Sequence, residues 1–166
     1  MINVFQKYSR RLSAVVALLW LTLHAVAQTL TIRPLPTQQQ LPMSSVHTIM
    51  QDSEGYMWYA TEGGGLCRGN GYQIDVFRPQ DSNRLQEACK VHCLCETSEG
   101  NIVFGTSDGL FMIDKKDYSV RRLTLSPACD QIDALFSDSQ GDVWVGTKGI
   151  IYRLDREGKQ QATFHS

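Results

Sequence analysis

Asp52-Ser53-Glu54-Gly55-Tyr56-Met57-Trp58-Tyr59-Ala60-Thr61 is the stretch that decides how this chain is read. A turn-forming tetrapeptide leads into an aromatic, apolar run that closes on a small residue and a threonine. The pattern returns twice, as TSEGNIVFGTSDGL from Thr97 and as DSQGDVWVGTKGI from Asp138. Gly55, Gly100 and Gly141 lie 45 and then 41 residues apart, and Thr61, Thr106 and Thr147 keep the same steps, as do Val46, Val91 and Ile132. A fixed period of this size marks one supersecondary unit, repeated.

Each copy reads as four short strands. In the first, Ser45–Gln51 alternates, with Val46, Thr48 and Met50 on one face and His47 and Ile49 on the other. Asp and Ser bond locally to the backbone and Gly accepts positive φ, so residues 52–55 form a turn. Strands then follow at 56–61, 66–68 and 73–77. The second copy predicts strands at 91–96, 102–106, 110–114 and 118–123. The third predicts them at 132–137, 143–147, 150–154 and 160–164. Four antiparallel strands with tight turns make one propeller blade. The expected fold is therefore all-β, a partial β-propeller of three repeats at residues 44–78, 89–124 and 130–164, following an N-terminal signal helix. Ala60, Gly105 and Gly146 are small where strands crowd a central channel. Trp58 and Trp144 are placed to fill the gap between neighbouring sheets, with Val103 in that position in the second copy.

The first 27 residues read as an export signal. Lys7, Arg10 and Arg11 precede an apolar run from Leu12 to Val26, and Ala25-Val26-Ala27 fits the small-x-small cleavage rule. Residues 28–43 then form a linker carrying a short strand near Leu30–Arg33. The part after residue 27 has 13 basic against 17 acidic residues, a net charge of −4, which gives no electrostatic case for nucleic acid. Export permits disulfides, yet the five cysteines leave at least one unpaired. Cys93 and Cys95 face one side of a strand as small apolar residues. Cys89 and Cys129 are placed to pair if the blades stack.

The spacing Val46-x-x-Ile49-x-x-Asp52-x-x-Gly55-x-x-Trp58-x-Ala60-Thr61 closely resembles the two-component regulator propeller repeat, and the resemblance runs from about Leu41 to Phe164. It departs from the family at Gly63-Gly64-Gly65, Val103, Thr97 and Gly149-Ile150. The resemblance implies the N-terminal, periplasmic sensor part of a hybrid two-component histidine kinase anchored in the inner membrane. Its partners would be the remaining blades and the kinase portion, with an oligosaccharide as ligand and a homodimer as the receptor.

The chemistry expected of the chain itself is slight. Gly63-Gly64-Gly65 joins two strands rather than opening a helix, so it is no phosphate cradle. His47 and His92 hold equivalent positions. On a strand, His92 faces away from Cys93 and Cys95, so no metal site is expected of that trio. Glu54, Glu62 and Glu99 read as solvated turn carboxylates rather than a hydrolytic pair. The expectation is thus a chain that is not an enzyme, with no catalytic residue, metal or cofactor. Tyr56, Tyr59, Arg68 and Tyr72 are the candidate ligand-binding residues, because aromatic faces stack on sugars. The rival readings are part of a secreted propeller lyase or glycoside hydrolase, or a propeller scaffold for protein contacts.

Overall fold

The computed structural model describes residues 41–79 and 89–165. The export signal, its cleavage point and the strand expected near Leu30–Arg33 lie outside the described residues. Among those described, no helix is long and apolar enough to cross a membrane.

The fold is all-β. Three four-stranded antiparallel sheets follow one another along the chain, as partial propeller blades do. The first holds β1 (Val46–Gln51), β2 (Met57–Thr61), β3 (Leu66–Gly69) and β4 (Ile74–Phe77). The second holds β5 (Val91–Glu96), β6 (Ile102–Thr106), β7 (Gly109–Ile113) and β8 (Val120–Leu123). The third holds β9 (Ala134–Ser137), β10 (Val143–Thr147), β11 (Ile150–Leu154) and β12 (Gln160–His165). Strands pair in chain order within each sheet, and the first strands pack on one another, β1 against β5 and β5 against β9. β8 begins two residues later than expected because Tyr118 adopts φ 57°, which keeps the preceding turn going to Ser119.

The shared threonines close the second turn of each sheet. Thr61 Oγ1 donates to Gly65 O at 2.6 Å, Thr106 Oγ1 to Gly109 O at 3.0 Å and Thr147 Oγ1 to Ile150 O at 3.0 Å. That bond explains why a threonine stands at the end of β2, β6 and β10.

The shared aspartate does more. Asp52 Oδ1 accepts from the backbone N–H of Glu54 and Tyr56, while Oδ2 accepts the Trp58 indole N–H at 2.7 Å. Lys115, from the turn after β7, lies 3.1 Å from the same oxygen and 3.4 Å from Glu54. Asp138 repeats the local part, holding the N–H of Gln140 and Asp142 and the Trp144 indole at 2.8 Å. Thr97, which replaces the aspartate in the second copy, accepts the Asn101 N–H on its hydroxyl, and Val103 there has no indole to hold.

Two apolar layers join the sheets. Trp58, Ala60 and Leu66 pack on Leu94, Ile102, Phe104, Phe111 and Ile113. On the other side of the second sheet, Cys93, Cys95, Val103, Leu110 and Met112 pack on Ile132, Val143, Val145, Tyr152 and Leu154. The cysteines are thus core residues. All five are free thiols, Cys89 and Cys129 included, and burial pushes Cys93 and Cys95 up to about 12. A Cβ at Gly105 would lie 2.5 Å from Ile132 Cγ2 and 2.7 Å from Cys93 Sγ.

The outer face of the third sheet carries Phe136, Ile151 and Phe164, which are 65%, 47% and 47% exposed. Trp144 stacks on Phe164 there at 5.9 Å. Register makes this the counterpart of the Trp58 face, since Trp58 pairs with Met50 as Trp144 pairs with Phe136. Val143 alternates with Trp144, points into the core and is fully buried.

Four outcomes follow from this packing. Gly105→Ala should destabilise the chain by about 2–3 kcal/mol, because Ile132 is locked in a filled layer and overpacking costs roughly that much; a chemical melt measures it. Asp52→Ala should cost about 3 kcal/mol, the loss expected when one partner of a buried ion pair is removed. Burial alone would raise the Asp52 carboxyl, but the Trp58 indole, Lys115 and the Tyr56 N–H outweigh it and hold it below its usual 3.8. The stability it contributes is therefore full above about pH 4 and is lost as pH falls through the lower folded value. An acid titration of wild type against Asp52→Asn should show that loss in wild type alone. Finally, exposed contiguous apolar surface promotes association. Phe136→Ser with Ile151→Thr should shift the chain toward monomer in size-exclusion chromatography.

Candidate functional site

The two equivalent histidines meet because each sits at a β-bulge. On β1, Val46 pairs with Thr61 and Thr48 with Ala60, leaving His47 as the extra residue. On β5, Val91 pairs with Thr106 and Cys93 with Gly105, leaving His92 extra in the same way. The expected plain alternation through Val46, Thr48 and Met50 is therefore broken at His47. A bulge re-aims the side chain it carries. The Thr48 hydroxyl donates to His92 O at 3.1 Å and ties the two bulges together. The imidazole centroids are 5.4 Å apart, with planes tilted by 59°.

Glu62 reaches the pair from the β2–β3 turn. Its backbone bridges to Lys90, just before β5. The N–H groups of Gly63 and Gly65 both donate to Cys89 O, at 3.1 and 3.0 Å. Gly63 has φ +95° and Gly65 +90°, a geometry that favours glycine, so the glycine run serves this inter-sheet clamp. The Glu62 carboxylate accepts a close hydrogen bond from His47 Nε2. That bond, opposed by slight desolvation and aided by the charges of His47, His92 and Lys90, holds the carboxyl below its usual value. His92 Nε2 meets Ser107 Oγ at 2.7 Å, and Ser107 follows Thr106 as Glu62 follows Thr61.

The result is a His47–Glu62–His92 cluster whose donor atoms all lie within 4.8 Å of one another. His47 is exposed, while Glu62 and His92 are half-buried. The carboxylate orients one imidazole, and the other stands across from it, which is an arrangement able to move protons or to ligate a cation.

The candidate ligand residues fall elsewhere. Arg68 lies over the rings of Tyr56 at 4.8 Å and Tyr118 at 4.2 Å, and pairs with Asp75 at 2.6 Å. Trp58 and Phe77 complete this cage, so Arg68 cross-links the first and second sheets. Tyr59 is buried, and Tyr72 is 84% exposed in the β3–β4 turn. Tyr56 and Arg68 are therefore brought together, apart from Tyr59 and Tyr72. Sequence reasoning noted the equivalence of His47 and His92 but set Glu62 aside as a solvated turn residue. The one available signal was that Glu62 follows the shared threonine, next to the same turn that the histidine strand must approach.

The two-component regulator propeller family matches residues 40–63 and 126–149, under half of the chain. Among curated proteins, none matches this chain by sequence. Solved structures are similar in fold. The extracellular domain assigned to one hybrid two-component system of B. thetaiotaomicron has a TM-score of 0.62 at 18% identity, covering 75% of this chain and 18% of that one. A second such domain, also from B. thetaiotaomicron, has a TM-score of 0.57 at 19% identity, covering 79% of this chain and 17% of that one. A catalytically inactive histidine-to-alanine variant of virginiamycin B lyase from Staphylococcus aureus, with quinupristin, has a TM-score of 0.59 at 20% identity and covers 76% and 43%. The chain thus spans less than a fifth of each sensor domain and 43% of the lyase.

These findings define a propeller-like domain that resembles extracellular domains of two-component sensors and shares its fold with lyases. The expectation of a chain without chemistry is corrected on two grounds. The same fold carries catalysis in a lyase, and the chain itself assembles a His/Glu/His cluster.

Proposed function

We propose that this chain is a section of an exported propeller that binds a polar ligand over the β1–β5 seam and acts on it as a lyase. The observation that supports this is the His47–Glu62–His92 cluster. Glu62, which accepts from His47 Nε2, orients that imidazole and leaves Nδ1 as its proton-accepting nitrogen. In the proposed step His47 takes the proton from a carbon next to a substrate carbonyl. The electron pair forms a carbon–carbon double bond as the bond to an oxygen on the next carbon breaks. His92, positioned by Ser107, serves as the acid and gives a proton to the departing oxygen.

A second reading has its own support, from the family match at both ends of the repeat array and the two sensor domains of like fold. Under it the seam binds without turnover, an oligosaccharide is the ligand, and further blades and a histidine kinase complete a periplasmic receptor. Residues 1–27 act as the export signal under both readings.

Elimination creates a conjugated double bond, so ultraviolet absorbance distinguishes them. Incubated with quinupristin and with uronate-containing glycans, the chain should give a slow absorbance rise. His47→Ala should lower that rise by roughly 100-fold, within the range of one general base. No rise with either substrate class, or an equal rise with His47→Ala, overturns the lyase reading.

A further inference from the structure

We propose that His47, Glu62 and His92 form a binding site for one divalent transition-metal ion of the zinc type, built across the seam between the first two sheets. The proposal rests on the seam being a binding surface, as proposed above, and stands apart from the proton-transfer step, because imidazoles held by an ion do not exchange protons.

Three features carry it. The first is the donor set. Two imidazoles and one carboxylate are the ligands that suit zinc where a fourth position stays open for water or substrate. The second is distance. Their donor atoms lie within 4.8 Å of one another. Bonds of about 2.0–2.2 Å would draw tetrahedral ligands to roughly 3.3 Å apart. His47 is exposed and Glu62 half-buried, so both side chains have room to adjust toward that spacing. The third is that the ligands are delivered by backbone devices rather than by loose side chains. His47 and His92 are each the extra residue of a bulge. Glu62 is fixed by its bridge to Lys90. The Thr48 bond to His92 O holds the bulges in step.

The outer partners fit as well. His92 Nε2 bonds Ser107 Oγ at 2.7 Å, so the hydroxyl can orient that ring while its other nitrogen ligates, or yield Nε2 to the ion. Hard cations such as magnesium or calcium want all-oxygen shells, and one carboxylate with two imidazoles does not supply one. Cys93 and Cys95, on the same strand as His92, point into the layer between the second and third sheets and cannot join the site.

The test is calorimetric titration of the full chain with zinc, alongside cobalt(II) absorption. Expected are one equivalent bound and a cobalt spectrum without a thiolate charge-transfer band. His47→Ala, His92→Ala and the near-isosteric Glu62→Gln should each weaken binding at least 10-fold while leaving the far-ultraviolet circular dichroism unchanged. Zinc should also raise the melting temperature of wild type and not of Glu62→Gln, as ligand linkage requires. Absence of binding, a thiolate band, or wild-type affinity in the Glu62→Gln and histidine variants overturns the proposal. Metal binding with no turnover sustains it and counts against the lyase reading alone.

Discussion

One carboxylate organises the described structure. Asp52 closes its own turn through two backbone N–H groups, fixes the Trp58 indole and meets Lys115 of the next sheet. A local turn, a core side chain and an inter-sheet ion pair thus share one group. Lys115 is almost fully buried and also stands 3.6 Å from Glu96, so it neutralises carboxylates of both sheets. Buried charges are costly unless paired, so the two sheets are favoured in the one register that pairs them. That register sets Trp58 against Phe104 and Phe111 and brings the start of β1 beside the start of β5. His47 and His92 then meet at the end of the seam opposite Asp52.

The other seam is built with different means. Between the second and third sheets, Arg156 occupies the place of Lys115 and reaches Glu99 at 3.5 Å, with both side chains exposed. An exposed pair of this kind contributes little. Apolar packing carries that seam instead, through Met112, Tyr152 and the close approach of Gly105 to Ile132. At the position equivalent to His47 and His92, the third copy carries Asp133, and Lys148 stands where Glu62 and Ser107 stand. Donor types that suit a metal or proton relay are therefore concentrated at the first seam.

The fold was legible because the period fixes it. The turn glycines and the shared threonines each serve a geometry or bond that recurs in every copy, and the aspartate–tryptophan bond recurs in the first and third. Four strands per copy follow from that punctuation. The site was less legible for a geometric reason. Strand alternation places His47 and Ile49 on one face, and only a bulge separates them. No sequence signal marks a bulge at a histidine. Glu62 joins the histidines through the Gly63 and Gly65 bonds to Cys89 O, which span chain far apart in sequence. Aromatic residues drew attention to Tyr56 and Arg68, yet cation–π contact with Tyr118 makes them a cross-link between sheets.

The central claim is that the Asp52–Lys115 pair sets the register that assembles the histidine cluster at the far end of the seam. Imidazole resonances of His47 and His92 in Lys115→Met test it most directly, since Lys115 touches neither ring. The account predicts that both histidines shift and that their mutual contact is lost while the backbone of the third sheet keeps its wild-type spectrum. A folded Lys115→Met chain in which both histidine signals and their contact are unchanged would contradict it.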